Sequence, residues 1–393
     1  PINIPDHYKI GDGLEIPKTS LEESNPSQLG LKENTFDIID EMMTKATEDS
    51  VFPGAALLIA KDSKIFYDKA FGAYTYSPDA KQVTTRTLFD LASVTKVIAT
   101  TNAAMKLVDE EKLELEEYVT KYLPDFSSNG KDRIKIKNLL LHNSGLPPFK
   151  MFYKMCDSPK AIMDSIYATS LVFKPGDSTL YSDIGMITLG KVIEKITGKA
   201  LDLFLSETFF KPLGLNSTMF NPNQNLKDYC APTENDDYWR MKLVQGSVHD
   251  ENAQALGGVA GHAGLFSNTA DLAVILQLLL NKGTYNGKRY LSEKVISKFL
   301  TPVDRKTNRT FGWGLKSLDG NSSAGKKFSD NSYGHTGFTG TSVWTDPDRN
   351  LFVILLTNRV HPNRKNNKLS EFRPLLHDKI IDCLENPKNK FNN

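Results

Sequence analysis

Strand-like patterns occur at both ends of this chain and are separated by a long helical middle. Near the N-terminus, "GAALLIAKDSKIFYDKAFG" places two apolar runs around Asp62 and Ser63, which predicts a β-hairpin. Near the C-terminus, "GTSVWTD" and "LFVILLT" flank a turn at residues 347–350 and predict two more strands. We therefore expect an α+β fold, in which one antiparallel sheet is assembled from both chain ends and flanked by helices, plus a mostly helical lobe.

Apolar residues at helical spacing predict the helices that surround this sheet. Gly198 follows one of them and is typical of a left-handed helix cap. The predicted helices cover residues 35–49, 94–108, 182–198, 267–283, 292–300 and 369–384.

The same patterns divide the chain into an arm and one domain. Residues 1–34 are polar without sustained periodicity, which predicts an N-terminal arm or linker. Residues 35–393 form the predicted domain, with an α/β lobe from about 35–95 and 250–393 and a helical lobe from about 96–249.

Charge and hydropathy exclude several classes of partner. The 393 residues carry a net charge of +1 without a long basic block, so neither nucleic acid nor an anionic membrane is expected to bind. No apolar stretch approaches the roughly 20 residues of a membrane-spanning helix. No signal-peptide core is present, and the chain begins with Pro1. The compartment is left open, and a removed leader would favour the cell envelope.

The three cysteines, Cys156, Cys230 and Cys383, include no C-x-x-C pair. Their number and spacing predict neither a zinc knuckle nor a disulfide framework. Free thiols are the simpler interpretation, and a single bridge is the alternative.

The segment "FDLASVTKVIATTNAAMKL" places Ser93 three residues before Lys96 in an otherwise apolar run. Positions i and i+3 share one face of a helix, so the hydroxyl and the ammonium group can meet. Lys96 could accept the hydroxyl proton if desolvation and nearby positive charge lower its pKa. The alternative is a capping serine beside a lysine that extends to solvent, and S-x-x-K alone favours this alternative.

Two further motifs decide between these interpretations. "YSD" at 181–183 and "HTG" at 335–337 follow S-x-x-K in the order known for penicillin-interacting serine enzymes. With these motifs, residues 35–385 resemble the serine β-lactamase superfamily. They are most similar to class C β-lactamases, D-alanyl-D-alanine carboxypeptidases, and related esterases and D-aminopeptidases. Segments 139–149 and 257–273 add to the resemblance.

The resemblance implies a β-lactamase/transpeptidase-like fold and assigns roles to the first two motifs. Ser93 would be the acylated nucleophile, and Lys96 and Tyr181 would share the work of general base. Asp183 stands where the family usually carries Asn. We expect Asp183 to pair with Lys96 and to raise its pKa, which leaves Tyr181 as the better base.

The third motif would form the edge strand that aligns the substrate backbone. Its members are His335, Thr336 and Gly337, and Gly337 would permit close backbone approach. The N–H groups of Phe338 and Ser93 would form the oxyanion hole.

His335 replaces the usual lysine of this motif. We expect its imidazole to titrate near neutrality and to donate a hydrogen bond to Tyr181 or to a substrate carboxylate. A third motif that begins with histidine is more similar to those of D,D-peptidases and D-aminopeptidases than to those of efficient β-lactamases. A second motif that ends with aspartate, as at Asp183, is similar to those of esterase-like members.

The implied function is a penicillin-recognising serine hydrolase. It would act through an acyl-enzyme on D-Ala-D-Ala-type peptides or β-lactams, as a D,D-carboxypeptidase or a class C-like β-lactamase. One alternative is a carboxylesterase or D-aminopeptidase of the same fold. Another is a penicillin-binding sensor or wall-binding module without turnover. The expected partner is a peptide or small-molecule substrate, and no metal or cofactor is expected.

Other polar residues have simpler structural interpretations. His142 and Ser144 fit structural roles at a helix end and a turn. His249, Asp250 and His262 match no zinc-ligand spacing.

Two further groups of residues each have two interpretations. The aromatic cluster 149–153 could overhang the site or pack between the lobes. Asn358 and Arg359 could contact a substrate carboxylate, and a surface ion pair would equally explain Arg359.

Overall fold

The structure is a computed structural model that describes residues 19–386 and residue 388. Residues 1–18 of the predicted N-terminal arm lie outside the described residues. The predicted arm and the two lobe boundaries stay predictions.

The strands range from two to nine residues in length. Their bounds are β1 (Glu22–Glu23), β2 (Gly54–Lys61), β3 (Lys64–Gly72), β4 (Phe89–Asp90), β5 (Met219–Phe220), β6 (Asn235–Asp236), β7 (Lys242–Leu243), β8 (Leu265–Ser267), β9 (Thr284–Tyr285), β10 (Lys288–Arg289), β11 (Gly314–Leu315), β12 (Tyr333–Thr336), β13 (Ser342–Asp346) and β14 (Leu351–Thr357).

The α-helices surround the longer strands. Their bounds are α1 (Asp37–Glu48), α2 (Asn102–Asp109), α3 (Val119–Tyr122), α4 (Ile136–Leu140), α5 (Phe152–Met155), α6 (Pro159–Ala168), α7 (Asp183–Thr197), α8 (Leu201–Leu205), α9 (Lys211–Leu213), α10 (Glu251–Ala255), α11 (Thr269–Leu280), α12 (Glu293–Leu300) and α13 (Leu369–Glu385).

Seven strands form the central sheet in the order β1-β3-β2-β14-β13-β12-β11. The predicted hairpin is β2–β3, and the predicted C-terminal pair is β13–β14. The two chain ends meet where β14 pairs antiparallel with β2, from Leu351 opposite Lys61 to Thr357 opposite Ala55. The predicted α+β fold with a sheet built from both ends is confirmed. One departure is β1, which pairs parallel with β3 and is too short to show periodicity.

Hydrophobic cores cover both faces of this sheet, which is why β2 is a continuous apolar run. The larger core packs α2, α7, α11 and α12 on one face, and the smaller core packs α1 and α13 on the other. Side chains of β2 alternate between them, with Ala56, Leu58 and Ala60 in the larger core and Ala55, Leu57 and Ile59 in the smaller.

The predicted helix at 182–198 is present as α7, and Gly198 caps it with φ of 67°. The predicted helix at 94–108 is instead divided into three parts. A 3₁₀ turn covers Ala92–Val94, a π-helical turn covers Lys96–Thr101, and α2 follows. Within residues 19–386, no helix has the length and apolar character needed to cross a bilayer.

Candidate active site

Ser93 lies in the 3₁₀ turn that follows β4. The preceding residue, Ala92, has a φ of 46°, which is uncommon for a residue with a Cβ. Asp90 holds this turn, because its carboxylate accepts the N–H of Ala92 (2.8 Å) and that of His249 (2.6 Å). The side chain of Ser93 is thereby presented to a cavity rather than to the core.

Lys96 is fully buried, and its ammonium group has three partners. Nζ donates to Ser93 Oγ (2.8 Å) and to the carbonyl of His262 (3.0 Å), and it lies 2.8 Å from Asp183 Oδ1. Burial alone would lower the pKa of Lys96, but Asp183 and Tyr181 outweigh burial and raise it above 10.5. Lys96 is therefore a fixed cation at neutral pH, as the pairing with Asp183 predicts.

The π-helical turn that begins at Lys96 has a local cause. Thr101 Oγ1 donates to the carbonyl of Lys96 at 2.8 Å, five residues earlier. Gly312 packs against this turn, and a Cβ at position 312 would lie only 2.1 Å from Thr101 Oγ1. Such turns are rare and recur at functional sites.

Tyr181 lies among charged and aromatic groups. Its ring centroid is 4.9 Å from Lys96 Nζ and 5.4 Å from Arg309 Cζ. The rings of His142 and His335 lie 4.5 and 5.9 Å from it. The buried hydroxyl oxygen of Tyr181 interacts with the Lys96 ammonium group and helps to raise the pKa of Lys96. Two cations thus face a phenol that lines the cavity.

Ser182 caps the N-terminus of α7 and holds the residues on either side of it. Its Oγ accepts the N–H of Gly185 (3.1 Å) and donates to the carbonyl of Pro147 (2.7 Å). Its N–H donates to Nδ1 of His142 (3.1 Å). Burial, followed by the charge of Arg309, lowers the pKa of His142 well below 6.5, so this ring is a neutral acceptor. The predicted structural role of His142 is confirmed.

Gly337 lies directly against the Ser93 segment. A Cβ at this position would lie 2.4 Å from the carbonyl oxygen of Leu91 and 2.2 Å from Thr341 Oγ1. Two threonines fasten the same contact, because Thr341 Oγ1 donates to Leu91 O (2.9 Å) and Thr339 Oγ1 donates to Asp90 O (2.7 Å). This contact joins the end of β12 to the nucleophile segment, and the approach of a substrate backbone to Gly337 stays a prediction.

His335 is neutral in the folded protein. Burial, with smaller effects from Lys96 and Arg309, lowers its pKa to about 3. The expectation that His335 titrates near neutrality is therefore wrong. Its Nδ1 lies 2.8 Å from the carbonyl of Thr336, so Nδ1 carries the proton. Arg309, rather than His335, supplies positive charge beside Tyr181.

Phe338 is 46% exposed at the rim of the site. Its ring stacks on His249 with a centroid separation of 5.6 Å, and Arg359 Cζ lies 4.8 Å from its centroid. Arg359 also donates a hydrogen bond to the Phe338 carbonyl (2.6 Å). Arg359 therefore already occupies one lone pair of the Phe338 carbonyl oxygen.

One cavity of about 780 Å³ collects these groups. Its lining residues are Ser93, Tyr181, Thr307, Asn308, Arg309, Gly314, Leu315, Ser317, Asp319, Asn321, Ser322, Ser323, Gly334, His335, Thr336, Gly337, Phe338, Trp344, Arg359, Asn367, Leu369, Ser370 and Arg373. Lys96 and Asp183 support the cavity through Ser93. Six of the eight site residues that the sequence predicted thus line this cavity, Lys96 contacts the lining residue Ser93, and Asp183 contacts Lys96.

Comparison with known proteins places the chain in a family. The family model described as "Beta-lactamase" matches residues 38–377. The chain belongs to the β-lactamase family. The resemblance inferred from the three motifs is confirmed, and at the family level the protein is a serine hydrolase.

This β-lactamase-family chain is similar to several named proteins and to solved structures. An Escherichia coli K12 protein named "Putative D-alanyl-D-alanine carboxypeptidase" is 36% identical, across 87% of this chain and 86% of that protein. A Bacillus subtilis protein named "N-acetylmuramyl-L-alanine amidase" is 37% identical, across 79% and 78%. The solved structure of a penicillin-binding protein homolog from Caulobacter crescentus superposes with a TM-score of 0.72 at 18% identity, across 90% of this chain and 99% of that one.

Arg309 and Arg373 are two residues of this β-lactamase-family cavity that the sequence reasoning missed. Neither lies in a recognisable motif. Arg309 precedes β11, and Arg373 lies in α13 among apolar and charged residues of an ordinary amphipathic pattern. Only the tertiary structure brings them to the cavity.

The histidines weighed as metal ligands are paired with carboxylates. His249 Nε2 lies 3.0 Å from Glu234, and His262 Nε2 lies 2.8 Å from Asp250. Among the described residues, no three His, Cys, Asp or Glu side chains are placed to hold a metal ion. The expectation that this β-lactamase-family protein needs no metal or cofactor stays a prediction.

The remaining candidates have structural contacts. Ser144 Oγ accepts the N–H of Leu146 (3.3 Å), as in a turn. In the aromatic cluster 149–153, Tyr153 packs on Trp239 and Phe152 is buried, and none of these residues lines the cavity. The structure therefore supports packing rather than overhang of the site, and packing between the lobes stays a prediction.

Asn358 is buried and bonded to backbone groups, whereas Arg359 lines the cavity. No disulfide joins the cysteines in the part of the chain that the structure describes.

Proposed function

We propose that this protein is a serine D,D-carboxypeptidase that removes the last residue from peptides ending in D-Ala-D-Ala. The observation that carries the proposal is Arg309. Its guanidinium lies in the cavity beside Tyr181, and it has no carboxylate partner among the described residues. Burial lowers the pKa of Arg309, so the cation is incompletely solvated. The free carboxylate of a leaving amino acid would supply the missing charge.

The nucleophile and the base follow from the contacts of the first two motifs. Ser93 Oγ attacks the carbonyl carbon, and Tyr181 accepts its proton as the general base. Lys96 is not that base, because Asp183 keeps it protonated. Lys96 and Arg309 both face the Tyr181 ring, so two positive charges lie beside the group that accepts the proton.

The tetrahedral oxyanion is bound by the N–H groups of Ser93 and Phe338. Its collapse breaks the C–N bond, and Tyr181 returns the proton to the departing amine. The released D-residue carries its carboxylate away from Arg309. A water then attacks the ester carbon with Tyr181 as base, the C–Oγ bond breaks, and Ser93 regains its proton.

The test compares one D-Ala-D-Ala peptide with its C-terminal amide. We expect release of D-Ala from the free acid, and kcat/KM at least about tenfold lower for the amide, as for loss of one charge-assisted hydrogen bond. Arg309→Met should remove this difference, and Ser93→Ala should abolish both reactions. Equal rates for acid and amide would contradict the role of Arg309. Hydrolysis of p-nitrophenyl esters alone would contradict peptidase activity.

A carboxylesterase is the second candidate, and the Phe338 carbonyl favours it. Arg359 already donates to this oxygen at 2.6 Å, so a peptide N–H that pairs with the strand must share it. An ester without an N–H group loses nothing by this arrangement.

Nitrocefin added to the same panel measures β-lactam turnover. Intact-mass measurement of a stable Ser93 adduct would instead support a sensor without turnover.

A further inference from the structure

The cavity extends from the nucleophile to a second arginine on α13. Arg373 is only 7% exposed, and it lines the cavity together with Arg359. Its side chain donates one hydrogen bond, to the carbonyl of Gly340 at 3.1 Å. Its Nε is buried without a partner, and no carboxylate among the described residues pairs with its guanidinium.

An arginine buried in this way is costly unless an anion completes its environment. Burial, followed by the charge of Arg359, lowers the pKa of Arg373 to about 10, so the group remains charged at neutral pH. Arg359 thus adds repulsion instead of compensating the charge of Arg373. His377, one turn later, adds no further positive charge, because burial lowers its pKa to about 3 and leaves it neutral.

Arg373 has an N–H group without a partner among the described residues, whereas the N–H groups of Arg359 already bind backbone carbonyls. Arg359 donates to three backbone carbonyls, those of Phe338 (2.6 Å), Asn366 (2.7 Å) and Arg364 (3.3 Å). Its fork is therefore committed to holding the loop before α13. Arg373 makes a single such bond, and its unpartnered nitrogen is more than nine-tenths buried.

Arg309 and Arg373, which both lack a carboxylate partner among the described residues, lie at opposite ends of the third motif. Arg309 is beside Tyr181, whose ring also faces His335 at the beginning of the motif. Arg373 contacts Gly340, beyond the end of the motif. The Ser93 turn packs between these positions, where the carbonyl of Leu91 meets Gly337. A substrate with its leaving group at Arg309 therefore has its acyl group on the side of Arg373.

We propose that Arg373 binds a carboxylate at the far end of the substrate's acyl group, so that preferred acyl donors carry a negative charge remote from the reacting carbonyl. The proposal rests on acyl transfer at Ser93, but it is independent of whether the leaving group is an amino acid or an alcohol.

The first test uses the unmodified protein. The probes are p-nitrophenyl monoesters of dicarboxylic acids of increasing methylene number, each compared with the same ester capped as its methyl ester. We expect the free acid to exceed the capped form by about tenfold in kcat/KM at one chain length, as for one charge-assisted hydrogen bond in a desolvated site. Capped esters preferred at every length would overturn the proposal.

The second test is Arg373→Met, which keeps an unbranched side chain that fills most of the space of the arginine stem and removes the charge. The readout is the ratio of kcat/KM for acid to capped ester, which should fall to about one if the missing bond supplied the preference. The matched control is Arg86→Met, an exposed arginine outside the cavity, which should keep the ratio of the unmodified protein. A preference that survives Arg373→Met would assign the carboxylate to another group and refute the proposal.

Two measurements keep the conclusions separate. Thermal unfolding of Arg373→Met shows whether the variant is folded, and the comparison on the unmodified protein stands if it is not. If the D-Ala-D-Ala peptide is not cleaved but the preference for the acidic ester holds, the carboxypeptidase proposal fails and the Arg373 site remains. If the peptide is cleaved without any preference for a remote carboxylate, only the Arg373 site fails.

Discussion

Replacement of Asp183 by Asn tests the electrostatic arrangement around Lys96. The change keeps the size of the side chain and removes the charge that lies 2.8 Å from the ammonium group. Lys96 is fully buried, and the Asp183 side chain is 21% exposed, so water screens this pair only in part. At an effective dielectric constant of about 20, the attraction over this distance amounts to about 6 kcal/mol.

Part of this attraction offsets the cost of taking both charges out of water. Removal of one member of a buried pair commonly destabilises a protein by about 3–5 kcal/mol. The introduced amide oxygen can still accept a hydrogen bond from Lys96. We therefore expect Asp183→Asn to lower the free energy of unfolding by about 2–4 kcal/mol at pH 7.

The pH dependence of stability follows from the direction of the shift in pKa. The folded-state pKa of Lys96 is raised above 10.5. Its contribution to stability is complete below the unfolded pKa and is lost as the pH rises through the folded value. In Asp183→Asn, burial is opposed only by Tyr181, so the pKa of Lys96 falls. The difference in stability between the two proteins should therefore be largest near neutrality and should shrink at alkaline pH.

The assay is urea unfolding from about pH 6 to about pH 12, which spans the loss of the Lys96 contribution, with acylation by a p-nitrophenyl ester measured on the same proteins up to about pH 10. We expect the alkaline limb of the acylation profile to move to lower pH in Asp183→Asn, because the cation that supports Tyr181 is lost earlier. Asp164→Asn is the control, since its partner Lys160 is an exposed lysine on a surface helix. Equal stability and an unmoved alkaline limb in Asp183→Asn would refute the reasoning.

Three further predictions concern the other groups of the site. Tyr181→Phe should slow acylation by at least about 100-fold in a stopped-flow assay, because the general base is lost, and it should also lower the unfolding temperature, because the phenol interacts with the buried Lys96. Gly337→Ala should prevent acylation in a stopped-flow assay, because its Cβ would lie 2.4 Å from Leu91 O; normal acylation would show that β12 can move. The folded-state pKa of His335 is lowered to about 3, so between about pH 6.5 and about pH 3 the unfolded state binds the proton first and the protein loses stability. His335→Asn removes this histidine, and the variant should therefore lose less stability than the unmodified protein over that range, as measured by urea unfolding.

Local patterns were sufficient for elements whose packing agrees with their periodicity. The β2–β3 hairpin and α7 follow from apolar spacing and from a glycine cap. The segment from Ala92 to Asp109 shows where such patterns fail. Helical spacing predicts one helix there, but the structure contains 3₁₀, π and α geometry in succession. The π turn depends on a threonine bond and on packing against Gly312, which a one-dimensional period does not record.

By itself, the sequence determined the family, the nucleophile candidate and the order of the three motifs, because motif residues and their spacing are properties of the chain. It also predicted the pairing of Asp183 with Lys96, since that followed from a single departure within a known motif. The tertiary structure decided the charge of His335, which burial holds neutral. It also decided that Arg309 and Arg373 line the same cavity as the reacting groups. The physical reason is that a pKa and a binding site depend on desolvation and on neighbours distant in the chain, and these exist only once the chain has folded.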